Sequence, residues 1–187
     1  MKKVRVVFLD RDGVINEYPG HYKYVTSVSE FHLLPKAKEA LMRLISGGCR
    51  LFIVSNQAGV GKGLYTQQAL DDITAVMRQQ LGKEIVFDGI FYCTHRPDAD
   101  CSCRKPKTAF IETASAQLKE QGLEIDKTQS FFVGDSVLDV ETGKAAGLRT
   151  IMVFSGRESP DNVPAWSIKP DSVAANLFEA TDLILYR

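Results

Sequence analysis

The chain has 187 residues, of which 44% are hydrophobic and 25% are charged, a balance typical of a globular α/β protein with a buried core. Lysine plus arginine and aspartate plus glutamate number 23 each, so the bulk charge indicates neither a nucleic acid nor an acidic membrane as partner. No apolar stretch approaches the ~20 residues of a membrane span, and the N-terminal apolar run is too short for a signal peptide. We therefore expect one domain over residues 1–187, a cytoplasmic monomer that binds no membrane and no nucleic acid.

The first predicted strand, residues 6–9, ends in Asp10, Arg11, Asp12 and Gly13. Four apolar residues in succession predict a strand that is buried on both faces, as in a parallel sheet. If the extended geometry persists, Asp10 and Asp12 project to one side while Arg11 points elsewhere. Two carboxylates in one small space are unfavourable unless a cation lies between them or one is protonated, which indicates Mg²⁺ or acid–base chemistry. Alone, the same residues are also common in ordinary turns.

A polar connection, residues 17–30, follows the first strand and carries the aromatic rings of His21, Tyr22 and Tyr24. Two interpretations remain open for it: an ordinary surface loop, or a flap that covers a substrate, since loops at the carboxyl ends of strands hold the sites of α/β folds. The next segment, residues 35–45, predicts a helix that begins at a proline and has an apolar stripe.

The second predicted strand ends in Ser55 and Asn56, whose hydroxyl and amide groups suit hydrogen bonds to phosphate or sugar oxygens. Behind them, the glycine-rich residues 59–63 could present backbone N–H groups together with the cation of Lys62. This loop lacks the spacing of a P-loop, so a flexible loop is an equally good interpretation. Thr66 is the predicted N-cap of a helix that ends near residue 81.

The third predicted strand, residues 88–93, runs into a loop that contains four side chains with the pattern Cys-x-His and Cys-x-Cys: Cys93, His95, Cys101 and Cys103. Three cysteines and one histidine make a complete set for a closed tetrahedral structural Zn²⁺ site. A disulfide is the alternative, but it would leave one cysteine over and is disfavoured in a reducing compartment. Because all four ligands come from the protein, the metal is expected to shape the loop and take no part in chemistry.

Arg104 and Lys105 follow the zinc loop directly and precede a predicted helix over residues 108–121. Two cations held between a rigid loop and a helix are suited to recognising a fixed anion, whereas isolated residues of this kind would be solvated surface charges. The fourth predicted strand ends in Asp135, and Asp139 lies one helical turn later, where it can back the site from the same helix face.

A fifth strand is predicted over residues 149–154, and an amphipathic helix closes the chain near residue 185. The carboxyl ends of parallel strands open on one edge of a doubly wound sheet, so the polar groups at these ends should converge there. The predicted fold class is α/β, with a doubly wound Rossmann-like parallel sheet, helices on both faces, no large cap domain and a small zinc-binding loop.

The four motifs in this order, D-x-D-G, Ser-Asn-Gln, Lys-Pro and Gly-Asp-x-x-x-Asp, closely resemble the haloacid dehalogenase superfamily of phosphatases over about residues 4–154. The resemblance implies that Asp10 is a nucleophile that forms an aspartyl-phosphate and that Asp12 is the general acid and later the base. It also implies that Ser55 and Lys105 hold the transferring phosphoryl group.

The same resemblance implies a catalytic Mg²⁺ bound by the carboxylates of Asp10 and Asp135 and by the backbone carbonyl of Asp12, with Asp139 behind these ligands. Elementary electrostatics agrees with it. A phosphate monoester carries about −1.5 to −2 charge near neutrality, so Mg²⁺ and Lys105 must neutralise it before an anionic nucleophile can approach.

Within the superfamily, the zinc loop followed by Cys-Arg-Lys-Pro is similar to two families, the heptose 1,7-bisphosphate 7-phosphatases and the histidinol-phosphatases. The first family implies a small phosphorylated sugar as substrate and loss of its 7-phosphate, with Asn56, Lys62 and Arg104 available for hydroxyls or a second anion. Two departures leave the substrate open: that family usually has arginine in place of Lys62, and the flap here is longer around residues 21–23. Histidinol phosphate is the alternative, and a nucleic-acid 3′-phosphatase or an inactive phosphate-binding module are weaker ones.

Overall fold

The computed structural model describes residues 1–186, and within them the chain forms eight strands and five α-helices. The strands are β1 (Lys2–Val4), β2 (Val6–Leu9), β3 (Arg50–Asn56), β4 (Gly89–Cys93), β5 (Leu123–Ile125), β6 (Phe131–Gly134), β7 (Arg149–Val153) and β8 (Ser172–Ala174). The helices are α1 (Ala37–Ser46), α2 (Gln67–Leu81), α3 (Ala109–Glu120), α4 (Val137–Ala145) and α5 (Leu177–Leu185).

Six strands form the central sheet in the order β4-β3-β2-β6-β7-β8, and every neighbouring pair is parallel. The chain moves outward from β2 through β3 to β4, and then returns to the other side of β2 for β6, β7 and β8. This reversal places the topological switch point between β2 and β6, where α/β sheets open a crevice at the carboxyl ends of their strands. β1 and β5 pair separately as a short two-stranded parallel sheet.

The strand β2 shows why the sheet is covered on both faces, because all four of its side chains are buried. Val7 and Leu9 lie in a core cluster that includes buried residues of α1, α2 and α5. Val6 and Phe8 face the other way and lie in a cluster with residues of α3. Alternate side chains of β2 therefore pack into apolar layers on opposite faces of the sheet. The predicted doubly wound sheet with helices on both faces is confirmed.

Helix boundaries follow their local signals. Thr66 caps α2 as predicted, since its hydroxyl accepts a hydrogen bond from the N–H of Ala69 at 3.1 Å. The first helix begins at Ala37, slightly later than predicted, because Lys36 is held in the left-handed conformation at φ 60°. Three strands were not predicted, namely β1, β5 and β8, since three residues are too few for a periodic pattern.

The two connections that could hold a cap are small. Residues 10–36, between β2 and α1, contain one 3-10 turn (Val28–Glu30), and residues 94–108, between β4 and α3, form the cysteine-containing loop. The end of the predicted domain, Arg187, lies outside the described residues, so the expectation of one domain over the whole chain stays a prediction. Among residues 1–186, no helix has the length and apolar character needed to cross a membrane.

Candidate active site

A cavity of about 260 Å³ opens at the carboxyl ends of the central strands, at the switch point of the sheet. It brings together the side chains that the sequence predicted for catalysis, substrate binding and Mg²⁺ binding. The exception is Asp139, which was expected to lie behind the Mg²⁺ ligands. The residues brought together are Asp10, Asp12, Ser55, Asn56, Lys62, Arg104, Lys105 and Asp135. Asp139 lies behind them and is almost fully buried, at 1% exposure.

Lys105 is a cation that lines the cavity, and its side chain is only 2% exposed. Its ammonium lies 2.8 Å from Oδ2 of Asp10 and 2.6 Å from Oδ1 of Asp139. Burial alone would lower the pKa of Lys105, but the charges of the two aspartates outweigh it and raise that pKa. The lysine therefore stays charged at neutral pH and can offset negative charge beside Asp10.

Asn56 holds the backbone of Lys105 in place. Its side-chain oxygen accepts a hydrogen bond from the N–H of Lys105 at 3.1 Å, and its amide N–H donates to the carbonyl of Lys105 at 3.3 Å. The sequence predicted Asn56 as a substrate-binding residue. In the structure it lines the cavity and also holds the backbone of Lys105, a contact between residues 49 apart that no sequence pattern indicates.

Three carboxylates, those of Asp10, Asp135 and Asp139, place oxygen atoms within 4.8 Å of one another. Both oxygens of Asp139 are engaged, one by the ammonium of Lys105 and the other by the N–H and hydroxyl of Ser136 at 3.0 and 2.6 Å. Asp139 is thus suited to support the site from behind. Asp10 and Asp135 supply the hard anionic oxygens that Mg²⁺ prefers, so this donor set fits the ion.

The pKa values of these acids show that their charges are poorly compensated by the protein alone. Burial raises the pKa of Asp10 to about 6, and the charge of Lys105 only partly offsets it. Burial, followed by the charges of Asp10 and Asp139, raises the pKa of Asp135 well above its ordinary value. A cation between the carboxylates would reverse both shifts, because it favours the ionised forms.

We expect a pH-dependent effect of Mg²⁺ on stability. A carboxyl group whose pKa is raised in the folded state stabilises the protein below its unfolded pKa, and that contribution is lost as the pH rises through the folded value, which for Asp10 is about 6. Mg²⁺ should therefore raise the melting temperature more at pH 7.5 than at pH 5. Thermal melts with and without the ion at both pH values check this, and an equal effect at both would contradict it.

Two glycines make room for Asp135. A Cβ atom on Gly13 would lie 2.2 Å from Oδ2 of Asp135, and one on Gly156 would lie 2.0 Å from the same oxygen. Gly13 also has φ of +80°, a conformation that other residues rarely adopt. The chain after β2 and the chain after β7 therefore both press against this carboxylate.

Arg11 does not point away from the acids, so that prediction was wrong. Its guanidinium turns back onto the carboxylate of Asp12, with nitrogen–oxygen distances of 2.8 to 3.1 Å. The reason is that the extended geometry ends at Leu9 and a tight turn follows, in which the N–H of Ile15 bonds to the carbonyl of Arg11 at 2.8 Å. The two-residue alternation of a strand no longer applies there.

The cavity lining includes side chains that were not predicted, among them Tyr18 and Arg157. Arg157 follows β7, and its backbone N–H donates to Oδ2 of Asp135 at 2.7 Å. A signal did exist for it, because residues after a fifth parallel strand open on the same edge as the others. The flap also contributes, since residues 18–24 line the cavity and the ammonium of Lys62 donates to the hydroxyl of Tyr24 at 3.1 Å.

The four predicted zinc ligands, Cys93, His95, Cys101 and Cys103, are brought together at the end of β4. The sulfur of Cys93 lies 3.5 Å from that of Cys101, and Nδ1 of His95 lies 3.7 Å from Cys93 and 3.3 Å from Cys103. In a tetrahedral site with Zn–S bonds of about 2.3 Å and Zn–N bonds of about 2.0 Å, the ligand atoms lie about 3.5–3.8 Å apart. The cluster therefore has the spacing of a metal site, and its cysteines are free thiols.

Known proteins resemble this chain in fold and in sequence. Residues 102–180 match the family described as HAD-hydrolase-like. The chain is 38% identical to the D-glycero-D-manno-heptose-1,7-bisphosphate 7-phosphatase of Chlorobaculum tepidum, over 96% of this chain and 94% of the relative. It is 35% identical to the D-glycero-beta-D-manno-heptose-1,7-bisphosphate 7-phosphatase of Haemophilus ducreyi, over 82% of this chain and 85% of the relative. The crystal structure of D,D-heptose 1,7-bisphosphate phosphatase from B. bronchiseptica, complexed with magnesium and phosphate, matches with a TM-score of 0.85 and 28% identity, covering 97% of this chain and 98% of that one.

Proposed function

Since the chain belongs to the heptose-1,7-bisphosphate 7-phosphatase family of haloacid dehalogenase-like hydrolases, we propose that it removes the 7-phosphate of D-glycero-D-manno-heptose 1,7-bisphosphate. The observation that carries the chemistry is the meeting of Asp10, Asp12, Asp135 and Lys105 in one cavity. A catalytically inactive module would have no need to keep two aspartates, a metal-binding acid and a buried lysine together.

Each residue has a defined part in this proposal. The carboxylate of Asp10 attacks phosphorus, the bond from phosphorus to the sugar oxygen breaks, and Asp12 gives its proton to that oxygen. Asp12 then takes a proton from water, which attacks the aspartyl-phosphate and releases inorganic phosphate. Ser55 and Lys105 hold the phosphoryl oxygens throughout. Asp10, Asp135 and the backbone carbonyl of Asp12 would hold Mg²⁺, which would supply positive charge beside the phosphate.

The rest of the cavity supports a substrate with a second anion. Arg104 lines it, and Nη1 of this arginine is buried without a hydrogen-bond partner among the described residues. Lys23, Lys62 and Arg157 line the same cavity, so four cations including Arg104 line it in addition to Lys105. A phosphate at C1 would satisfy these donors, whereas the ammonium of histidinol phosphate would be repelled by them.

We expect kcat/KM for the heptose bisphosphate to exceed that for histidinol phosphate by several decades.

Arg104→Lys should raise KM for the bisphosphate about ten- to hundredfold, because lysine cannot form the two parallel hydrogen bonds that a guanidinium gives to an anion. The matched control is heptose 7-phosphate, which has no phosphate at C1 and should be little affected. An equal rise in KM for both sugars would show that Arg104 does not bind the phosphate at C1. Equal values of kcat/KM for the heptose bisphosphate and histidinol phosphate would favour histidinol phosphate as the substrate.

We further propose that Cys93, His95, Cys101 and Cys103 hold one structural Zn²⁺. Burial, reinforced by hydrogen bonds with the thiols of Cys93 and Cys101, raises the pKa of Cys103 to about 12. Three thiols this close therefore resist ionising together without a cation, which zinc would supply. We propose a cytoplasmic location as well, since a reducing compartment keeps cysteines available as metal ligands.

Cys103→Ser should lower the zinc content from about one ion per chain and reduce the melting temperature by at least about 5 °C, because a structural site contributes folding energy. Activity should fall mainly through a higher KM, since Arg104 and Lys105 follow the loop directly. Cys49→Ser is the matched control: Cys49 is a buried thiol outside the cluster, and its variant should keep the metal. Elemental analysis that finds no metal, together with a disulfide, would rule the site out.

A further inference from the structure

We propose that Arg11, Gln57 and Tyr65 form a buried network that positions the carboxylate of Asp12 for proton transfer. The inference rests on the proposed function, in which Asp12 is the general acid and base. None of the three is a catalytic residue, because each is buried and none lines the cavity. They would act on the reaction only through Asp12.

The first part of the network is the ion pair between Arg11 and Asp12. The guanidinium gives three close contacts, from Nε to Oδ1 at 2.9 Å and from Nη2 to Oδ1 and Oδ2 at 2.8 and 3.1 Å. Arg11 is 0% exposed, while the side chain of Asp12 keeps 17% exposure toward the cavity. A charged arginine that is removed from water in this way needs a fixed carboxylate, so each partner fixes the other.

Gln57 holds the other side of the same carboxylate. Its amide N–H donates to Oδ2 of Asp12 at 2.9 Å, and its carbonyl oxygen accepts from Nη2 of Arg11 at 3.2 Å. The side chain of Asn16 adds a further donor to Oδ1 of Asp12, at 2.9 Å. Both oxygens of Asp12 are therefore held by at least two nitrogen donors each, which limits rotation of the carboxylate.

Tyr65 determines which way the Gln57 amide faces. Its hydroxyl donates to the carbonyl oxygen of Gln57 at 2.6 Å. Burial raises the pKa of Tyr65, so this hydroxyl keeps its proton and remains a donor. With two donors, Tyr65 and Arg11, directed at its oxygen, the amide must turn its N–H₂ toward Asp12 and Ser55. Arg11 and Gln57 thus contact Asp12 directly, and Tyr65 acts on it through Gln57.

Leaving-group dependence separates a positioning role from a general loss of structure. Protonation by Asp12 matters for the alkoxide of a sugar and little for 4-nitrophenolate, which leaves readily as an anion. Arg11→Met should lower kcat/KM on heptose 1,7-bisphosphate about 10²-fold, the usual scale of an acid–base group, and on 4-nitrophenyl phosphate less than about threefold. Tyr65→Phe, a milder change that keeps the ring, should show the same selectivity with a smaller loss.

A double-mutant cycle gives the second readout. If Arg11 acts through Asp12, then adding Arg11→Met to Asp12→Asn should cause no further loss on the sugar phosphate. Ser130→Ala is the matched control. It also removes a buried hydrogen bond, the one that the N–H of Val6 donates to the Ser130 hydroxyl at 2.9 Å, but this bond lies at the start of β2 and not at the cavity. It should show no leaving-group selectivity.

The outcomes distinguish the inference from the proposed function. Equal losses on both substrates for Arg11→Met and Tyr65→Phe, or additive losses with Asp12→Asn, would overturn the positioning role alone. If Arg11→Met does not fold, Tyr65→Phe and its cycle with Asp12→Asn decide the matter. If Asp12→Asn itself leaves kcat/KM on the sugar phosphate unchanged, the acid–base assignment fails, and the proposed mechanism fails with it.

Discussion

Asp10→Asn should reduce kcat on the heptose bisphosphate by about 10⁶-fold, the scale of loss that follows removal of a covalent nucleophile. The neutral amide cannot attack phosphorus, so no aspartyl-phosphate can form on residue 10. Substrate should still bind, because Ser55, Lys105 and Arg104 remain. Steady-state kinetics measures the loss, and rapid quenching of the wild-type reaction followed by mass spectrometry should find the phosphoryl group on Asp10.

The fold should survive this substitution. Burial raises the pKa of Asp10 to about 6, so at neutral pH the folded protein holds a carboxylate that would be better tolerated without its charge. The melting temperature of the variant, measured without Mg²⁺, should therefore stay close to that of the wild type. A variant that keeps near-normal kcat, or a wild-type enzyme that never carries phosphate on Asp10, would show that the covalent mechanism is wrong.

Lys105→Met should damage both activity and stability. The side chain keeps similar length and loses its charge, so kcat/KM should fall about 10²- to 10³-fold through loss of electrostatic stabilisation of the phosphoryl group. Asp10 and Asp139 would also lose the cation between them, and breaking a buried ion pair by removing one partner costs about 3–5 kcal/mol. Chemical denaturation at pH 8 measures this cost.

The surface lysine Lys119 provides the comparison for that experiment. It lies exposed in the last turn of α3, and Lys119→Met removes the same charge without leaving a buried carboxylate unpaired. Its free energy of unfolding should change by less than about 1 kcal/mol. The destabilisation from Lys105→Met should shrink at pH 5, where the buried acids can protonate. A loss of the same size for both lysines, at either pH, would falsify the view that Lys105 neutralises the site.

The parts of the site that could be predicted are those that depend on one strand end at a time. Asp10, Ser55, Cys93 and Asp135 each follow or end an apolar run, and parallel strands bring such ends to one edge. The unpredicted parts depend on contacts between distant segments. Gln57, 46 residues after Arg11, shares the carboxylate of Asp12 with it. Likewise, the clamp of Asn56 on Lys105 joins residues that only the folded sheet makes neighbours.

Gly61 limits which sequence changes the loops around the cavity can accept during evolution. Its N–H donates to the carbonyl of Thr94 at 2.9 Å, and a Cβ atom there would lie 2.4 Å from that same oxygen. The backbones of the glycine-rich loop and the cysteine loop are thus in direct contact at Gly61. An inserted residue in either loop would disrupt this contact. Selection for a new substrate, in nature or in the laboratory, should therefore act by exchanging the side chain of Lys62, while the lengths of these two loops stay fixed.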